Sequence, residues 1–458
     1  MTHTLVDSAS SVADPACGDG RFLRATAERG RRHVFGSDLV PVDGPVPRDT
    51  SIVAANTLVD GISVWPDAPA DGFDLVIGNP PFRGQLQAET WLQPGERAQL
   101  VDRYGDLARG YVDTASLFLV AACEMAAPTG RVALIMPLSF LAARDAAPAR
   151  RRVLELATLE GLWICPDFVF PDAQVQVCAV ILDRSGPRRR PVRRWVGKDF
   201  DPMEAAVVDS EQLMDASTWS HLAAPAFGIP EVTLAERGTL GELVSATAGF
   251  REQFYGLAPL VTEHPDDRVD HQELAPLVTS GLIDPGSVAW GERPARMGGT
   301  TWARPAVALG RLDPSSPLGR WVQQRRRPKL VVATQTKVIE AAPDPTGELI
   351  PSTPVIAAHV DGDDLWRALA VLLAPPVTAW ARARYTGAAL SATAIKLSAR
   401  QVEGLPLPDD ETRWATAAEL LATTHQRQGR LRLEDLRAAG EHMTAAYGCD
   451  RSITEWWS

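Results

Sequence analysis

From residue 12 to about 185 the chain alternates between short apolar runs of strand length and longer segments with helical spacing. "HVFGSDL" (33–39) and "FDLVIGNPPF" (73–82) read as strands, and "TASLFLVAACEMA" (114–126) as a helix. "GRVALIMPLSFL" (130–141) reads as a buried strand, "APARRRVLELATLEG" (147–161) as a helix and "VQVCAVILDRS" (175–185) as a late strand. This order predicts an α/β fold with a doubly wound, Rossmann-like sheet. "SGPRRRPVRRW" (185–195) breaks the pattern, so residues 1–195 are expected as a first domain and 196–235 as a linker. The next stretch, 236–410, is richer in Pro, Gly and Trp, with short strands such as "KLVVATQTKVI" (329–339), and predicts an irregular α+β domain. "DLWRALAVLLAPPVTAWARARY" (364–385) is a helix pair within it, and 411–458 is a short helical segment. No fixed-period repeat is present.

Composition narrows the partners. The 458 residues carry a net charge of −11, so contact with nucleic acid has to come from local basic patches. Nearly all positive charge is arginine, with lysine only at Lys198, Lys329, Lys337 and Lys396. The five cysteines are scattered, with no CxxC pair and no His at zinc-ligand spacing, which predicts no metal site and a reducing compartment. No basic n-region with an apolar run opens the chain, and the longest apolar stretch is broken by Arg367, Pro375 and Pro376. The expectation is a cytoplasmic protein without membrane contact.

Three motifs carry chemistry. "DPACGDGRFL" (14–23) places Asp14 at a strand end, then Gly18 and Gly20, which permit a sharp turn and let a ligand approach the backbone. Any βα turn with glycines would look similar. Asp38 ends the next strand, where an acid can accept both hydroxyls of a ribose, as in other folds that bind adenosine cofactors. "NPPF" (79–82) decides between these readings. Pro80 and Pro81 fix the backbone and remove two donors, leaving carbonyl acceptors. A planar amino group held between Asn79 Oδ1 and the Pro80 carbonyl would have both hydrogens engaged, and Phe82 would stack on its ring.

With these three in order, the chain resembles the gamma-class, S-adenosylmethionine-dependent adenine-N6 DNA methyltransferases of restriction–modification systems, particularly the TaqI type. The resemblance covers the methyltransferase core and runs more weakly through the C-terminal half. It implies that Asp14, Ala16, Cys17, Gly18 and Gly20 form the methionine-end cofactor loop and that Asp38 holds the ribose. Asn79, Pro80, Pro81 and Phe82 would be the catalytic loop, with Phe in place of the commoner Tyr. Asn56 stands where the family has an Asp toward the cofactor adenine. Phe118 falls where an aromatic packs on that adenine, although it also reads as plain core. Phe170 in "DFVFPDAQVQVCAVIL" (167–182) would be a second aromatic on the flipped base.

"LGELVSATAGF" (240–250), "LAPLVTSGLIDPGSV" (274–288), "RPKLVVATQTKVIEA" (327–341) and "IKLSARQVEGLPLP" (395–408) follow the landmarks of the family's target-recognition domain. Within "QQRRRPK", Arg325, Arg326, Arg327 and Lys329 are candidate contacts to DNA phosphates, with a solvated surface as the plainer reading. "RRRPVRR" (188–194) is a second basic run of the same kind.

The resemblance implies methyl transfer to a flipped adenine in double-stranded DNA, in restriction–modification or phage defence. With no nuclease signature evident, a separate restriction or defence subunit is expected. The family usually carries a longer lid segment before the glycine turn than "MTHTLVDSASSVA". One alternative is therefore a partner-dependent, non-catalytic DNA-binding subunit. Methylation of a protein amide or of RNA is another alternative, and cytosine-N4 a closer chemical variant.

Overall fold

The computed structural model describes residues 6–29, 33–40, 49–82, 94–109, 113–170, 175–187, 189–204, 206–235, 237–265, 273–360, 364–387 and 394–458. The chain forms two compact units, Met1–Gly228 with Thr386–Ala392, and Ile229–Tyr385 with Thr393–Ser458.

The first unit is built on a nine-stranded sheet. Its strands are β1 (Ser11–Asp14), β2 (His33–Asp38), β3 (Thr50–Ala54), β4 (Phe73–Gly78), β5 (Ala126–Pro137), β6 (Thr158–Ile164), β7 (Val177–Asp183), β8 (Arg193–Val196) and β9 (Asp201–Pro202). They lie in the order β3-β2-β1-β4-β5-β7-β6-β8-β9. Strands β3 to β5 pair in parallel, whereas β7 runs antiparallel to both β5 and β6. The order reverses at β1: the chain first winds outward to β2 and β3, then returns to β4 on the other side. In a doubly wound sheet, a crevice opens at such a reversal, beyond the carboxyl ends of the two central strands. Asp14 ends β1, and Asn79 follows the last residue of β4.

The helices that matter for this crevice are α1 (Arg21–Ala27), α2 (Thr57–Asp60), α3 (Pro94–Tyr104), α4 (Thr114–Met125) and α5 (Ala147–Leu156). Helix α4 is apolar all round and buried at every position except Glu124, the pattern of a helix enclosed by core rather than laid on a surface. Phe35, Trp65 and Phe73 pack edge-on or tilted beside it, with centroids 5.0–6.2 Å apart.

Two expectations change. The helix read over 147–161 stops at Leu156, and Thr158–Ile164 is a strand with every residue buried. A short, continuously buried run has no polar face to reveal its period, so it reads equally as helix or strand. The stretch expected as a linker, 196–235, is mostly built into the first unit. Leu213, Trp219 and Leu222 are in its core, and the buried Arg150 of α5 donates to the Ser217 carbonyl at 2.7 Å.

In the second unit one four-stranded sheet runs Val244–Ala248, Ile356–Val360, Lys329–Val332, Ala341–Asp344. Another contains Val261–Glu263, Pro305–Ala308, Leu274–Val278 and Ile350–Pro351. Helices Leu365–Leu372 and Pro375–Tyr385 form the expected pair, and Glu411–Gln428, Leu433–Ala446 and Ser452–Trp457 belong to the same unit. Among the described residues no helix is long and apolar enough to cross a membrane.

Candidate active site

The glycine turn forms because its two glycines take a left-handed backbone, with φ +51° at Gly18 and +76° at Gly20. Gly20 is the residue before α1, and its amide closes the turn on the Cys17 carbonyl at 2.8 Å. Strand β4 comes so close to Asp14 that a Cβ on Gly78 would sit 2.5 Å from Asp14 Oδ1. Any larger residue there would push the Asp14 carboxyl from its place.

Asp14 is 1% exposed. Its Oδ1 accepts from the Ala16 amide at 3.1 Å, while its Oδ2 has no hydrogen-bond partner among the described residues. Burial pushes its carboxyl up to about 7, against a smaller opposing effect from the Ala16 amide. Asn79 Oδ1 is likewise buried without a donor among the described residues. A buried acceptor left without a donor is costly.

Two cavities meet there. One, of about 280 Å³, is lined by Gly18, Asp38, Leu39, Asn56, Asn79, Phe118 and neighbours. The other, of about 440 Å³, is lined by Asp14, Cys17, Phe22, Asn79, Ile135, Phe170 and neighbours. Ala16, Gly18 and Asn79 border both. Of the candidates for the cofactor loop and the catalytic loop, Gly20, Pro80 and Phe82 line neither cavity, whereas Pro81 lines the first.

Local bonds refine the expected roles. Asp38 accepts from the Gly18 amide at 2.8 Å and the Val40 amide at 3.1 Å, which locks the strand end to the glycine turn. Asn56 Oδ1 accepts from the Leu58 amide at 3.1 Å and so caps α2, a duty that the adenine reading did not anticipate. Phe118 is buried in the core and borders the smaller cavity. The Cys17 thiol is pushed up to about 12 by burial and by the nearby Asp14 and Asp38, which keeps it neutral and unreactive. Phe82 and Phe170 pack against the same small apolar cluster of Trp163, Cys165, Val177 and Ala179, although they are far apart in sequence.

Some residues at the site were missed. Thr114, the first residue of α4, is buried and donates from Oγ1 to the Pro81 carbonyl at 2.8 Å, pinning the Asn-Pro-Pro loop. The Asp113–Thr114 helix start was the only signal for it. Leu39, 54% exposed on the cavity wall, follows directly after the expected ribose acid.

The basic runs fare differently. Lys329 is fully buried and ion-paired with Asp344, and Arg325 is buried with its guanidinium 4.3 Å over the Trp321 ring. Neither is placed to grip a phosphate, because their charges are used inside the fold. Arg326 and Arg327 remain exposed. Of the run at 188–194, Arg190 and Arg193 pair with the buried Glu160, and Arg189 lies 3.6 Å from Asp209. Position 188 lies outside the described residues. Among the described residues no group of His, Cys, Asp and Glu could hold a metal ion.

Residues 48–167 match the family model of the Eco57I restriction-modification methylases. The whole chain is similar in fold to the type IIL restriction-modification enzyme MmeI, solved in complex with DNA. Identity is 13% and the TM-score 0.61, over 99% of this chain and 71% of that one. The DrdV–DNA complex matches with 12% identity and a TM-score of 0.48, over 91% of this chain and 54% of that one. The type IIG restriction endonuclease BpuSI matches with 14% identity and a TM-score of 0.42, over 100% and 63%. The Asn79–Phe82 loop therefore lies in a segment similar to the Eco57I restriction-modification methylases, within a chain that shares its fold with MmeI.

Proposed function

We propose that the chain is a site-specific DNA methyltransferase of a restriction–modification system, acting on the exocyclic amine of an adenine turned out of the duplex. The observation that carries this reading is the pair of buried acceptors without a donor among the described residues, Asp14 Oδ2 and Asn79 Oδ1, on residues that line one crevice. S-adenosylmethionine, when bound, supplies an activated methyl group on a good leaving group. The chain's residues fit it: Asp38, Leu39, Asn56 and Phe118 would hold its adenosine, and Asp14, Ala16 and Gly18 its methionine end. Asp14 Oδ2 is suited to an ammonium group, which would restore the charge that burial suppresses.

At the target, Asn79 Oδ1 and the Pro80 carbonyl accept the two amino hydrogens. This holds the nitrogen in line and stabilises positive charge as it develops. Phe82 and Phe170 take the faces of the extruded base. No strong general base is required, because the amine loses its proton only after its charge has risen. The closed geometry comes from the fold: Gly78 lets the loop reach Asp14, and Thr114 fixes Pro81.

The test is long-read sequencing of DNA from a methylation-free host that expresses the chain. Adenine-N6 marks at one short motif are expected. Asn79→Ala should lower their formation by about 10²–10³-fold, the usual cost of removing one such acceptor or donor. Marks on cytosine-N4 would correct the base. No marks from folded protein that binds S-adenosylmethionine would overturn the reading in its present form.

A further inference from the structure

Backbone strain singles out one aromatic in the first unit. Strands β8 and β9 are joined by residues 197–200, and both ends of this turn are left-handed, with φ +74° at Gly197 and +58° at Phe200. Glycine takes that conformation freely, whereas a phenylalanine there sets its Cβ against the following carbonyl oxygen. Among the described residues the other non-glycine positions of this kind are Asp49 and Gln335, both polar. The turn is nevertheless firmly held. The Gly197 amide donates to the Ile164 carbonyl at 3.0 Å, and the Gly197 carbonyl accepts from the Trp163 indole at 2.7 Å. The half-buried Phe200 ring stacks on that same indole, with centroids 5.1 Å apart and planes at 26°. One such stack stabilises by about as much as the left-handed backbone costs. Stability alone gives little reason for an aromatic at this position.

What the ring reaches is the larger cavity. Trp163 forms a buried apolar cluster with Cys165, Val177 and Ala179, and Phe82, Ile135, Phe170 and Phe200 all pack against it. The strand register explains how. Trp163 pairs with Ala179 across β6 and β7, and Ala179 pairs with Ile135 across β7 and β5, so the three side chains share one face of the sheet. A row therefore runs from Phe200 on the outer hairpin, through Trp163 and Ala179, to Ile135. Ile135 and Phe170 line the larger cavity together with Asn79. The two remaining rings on the cluster, Phe82 and Phe170, are those read above as taking the faces of the extruded base.

We propose that Phe200 is a positioning residue for the target base: its ring, fixed on the strained turn, braces the Trp163 indole, and Trp163 sets the floor on which Phe82 and Phe170 stand. This rests on the methyltransferase reading for its substrate, and it extends the base-holding machinery to a hairpin outside the catalytic loop. A planar base is gripped only when the two rings are spaced to receive it. A floor that tips lets that spacing vary, and the amine then spends less time in line for transfer. Asp14 and Asp38 end β1 and β2, away from this row, so the effect falls on the base and leaves S-adenosylmethionine untouched.

The experiment uses the full chain and a short duplex carrying the methylated motif, with the fluorescent analogue 2-aminopurine replacing the target adenine in a second duplex. Phe200→Gly removes the ring and relaxes the backbone together, so it should melt close to the parent. Its kcat should fall about 10-fold, with an unchanged KM for S-adenosylmethionine. The 2-aminopurine emission of its complex should rise, because a base no longer held between rings is quenched less. Phe200→Tyr keeps the stack and should restore both values. Phe200→Leu keeps apolar bulk without a flat ring and should behave like Phe200→Gly, which guards against a folding defect peculiar to the glycine. Parental kcat and emission in Phe200→Gly and Phe200→Leu would overturn the proposal and leave the methyltransferase reading intact. A loss of cofactor affinity as large as the loss of kcat would overturn it too, since the ring would then act on the whole crevice. If the parent marks no motif, the methyltransferase reading fails and this inference falls with it.

Discussion

Two buried carboxylates in the first unit have opposite surroundings. Glu160, on β6, is 2% exposed and sits among arginines: Arg131 at 3.1 Å, Arg190 at 3.3 Å, and Arg193 closer still. Asp183, beside it, is held below the usual carboxylate range. Burial acts to raise it, but the Ser185 hydroxyl and amide, Arg131 and Arg190 outweigh that effect. Asp14, at 1% exposure, has one amide donor and no cation, and burial lifts its carboxyl to about 7. The first constellation has its opposite charges within the chain, although Glu160 Oε2 and Arg131 Nε face each other at 3.1 Å without hydrogen-bond geometry. The second has, among the described residues, only the Ala16 amide as a donor. Charge burial alone therefore does not mark a site. Charge burial without an internal partner does.

The comparison breaks first at Glu160. Glu160→Ala should destabilise the protein by about 3 kcal/mol, because removing one member of a buried pair leaves the others uncompensated, with some relief from the part-exposed arginines. Urea denaturation reads this directly. A loss below about 1 kcal/mol would mean that the arginines escape to solvent and that the network is ornamental.

Asp14 should behave in the reverse way. The unfolded chain releases its proton near 3.8, whereas the folded chain retains it until about 7. Between those values the folded state binds more protons, so this group's contribution to stability falls as pH rises through the window. The full loss is at most about 4 kcal/mol above pH 7. Asp14→Asn should therefore melt above the parent at pH 8 and close to it at pH 4, while losing affinity for S-adenosylmethionine. Parallel melting curves at all pH values would mean that Asp14 is satisfied in the fold and that the crevice is not waiting for a cation.

This contrast also explains what could be read from the sequence. Asp14, Gly18, Asp38 and Asn79 were legible because a strand end, a tight turn and two prolines leave short-range marks that need no knowledge of the far chain. The alternation of strands and helices was legible for the same reason. Strand β6 was not, since a fully buried run shows no period. The fates of Lys329 and of the arginines at 189–193 were not legible either, because a basic run looks the same whether its partners lie in solvent or on a neighbouring strand. Asp344 and Glu160 carry no local sign that they will neutralise those charges. Thr114 fell between the two cases: its helix start was visible, but its bond to Pro81 spans 33 residues and is a product of the packing of α4.

That bond yields the smallest effect and the sharpest separation of roles. Thr114→Val keeps the shape of the side chain and removes only the hydroxyl, so the part-buried bond to the Pro81 carbonyl is lost at a cost of about 1 kcal/mol. The cofactor cavity keeps its volume, and affinity for S-adenosylmethionine should stay at the parental level. The Asn79 and Pro80 acceptors, however, ride on the loop that Thr114 holds, and a looser loop spends less time aligned for transfer. A fall of about 5- to 10-fold in kcat with an unchanged KM for the cofactor is expected, together with recovery in Thr114→Ser. If Thr114→Val lowers cofactor affinity and leaves kcat alone, the loop is held by the prolines unaided and Thr114 belongs to the cavity wall.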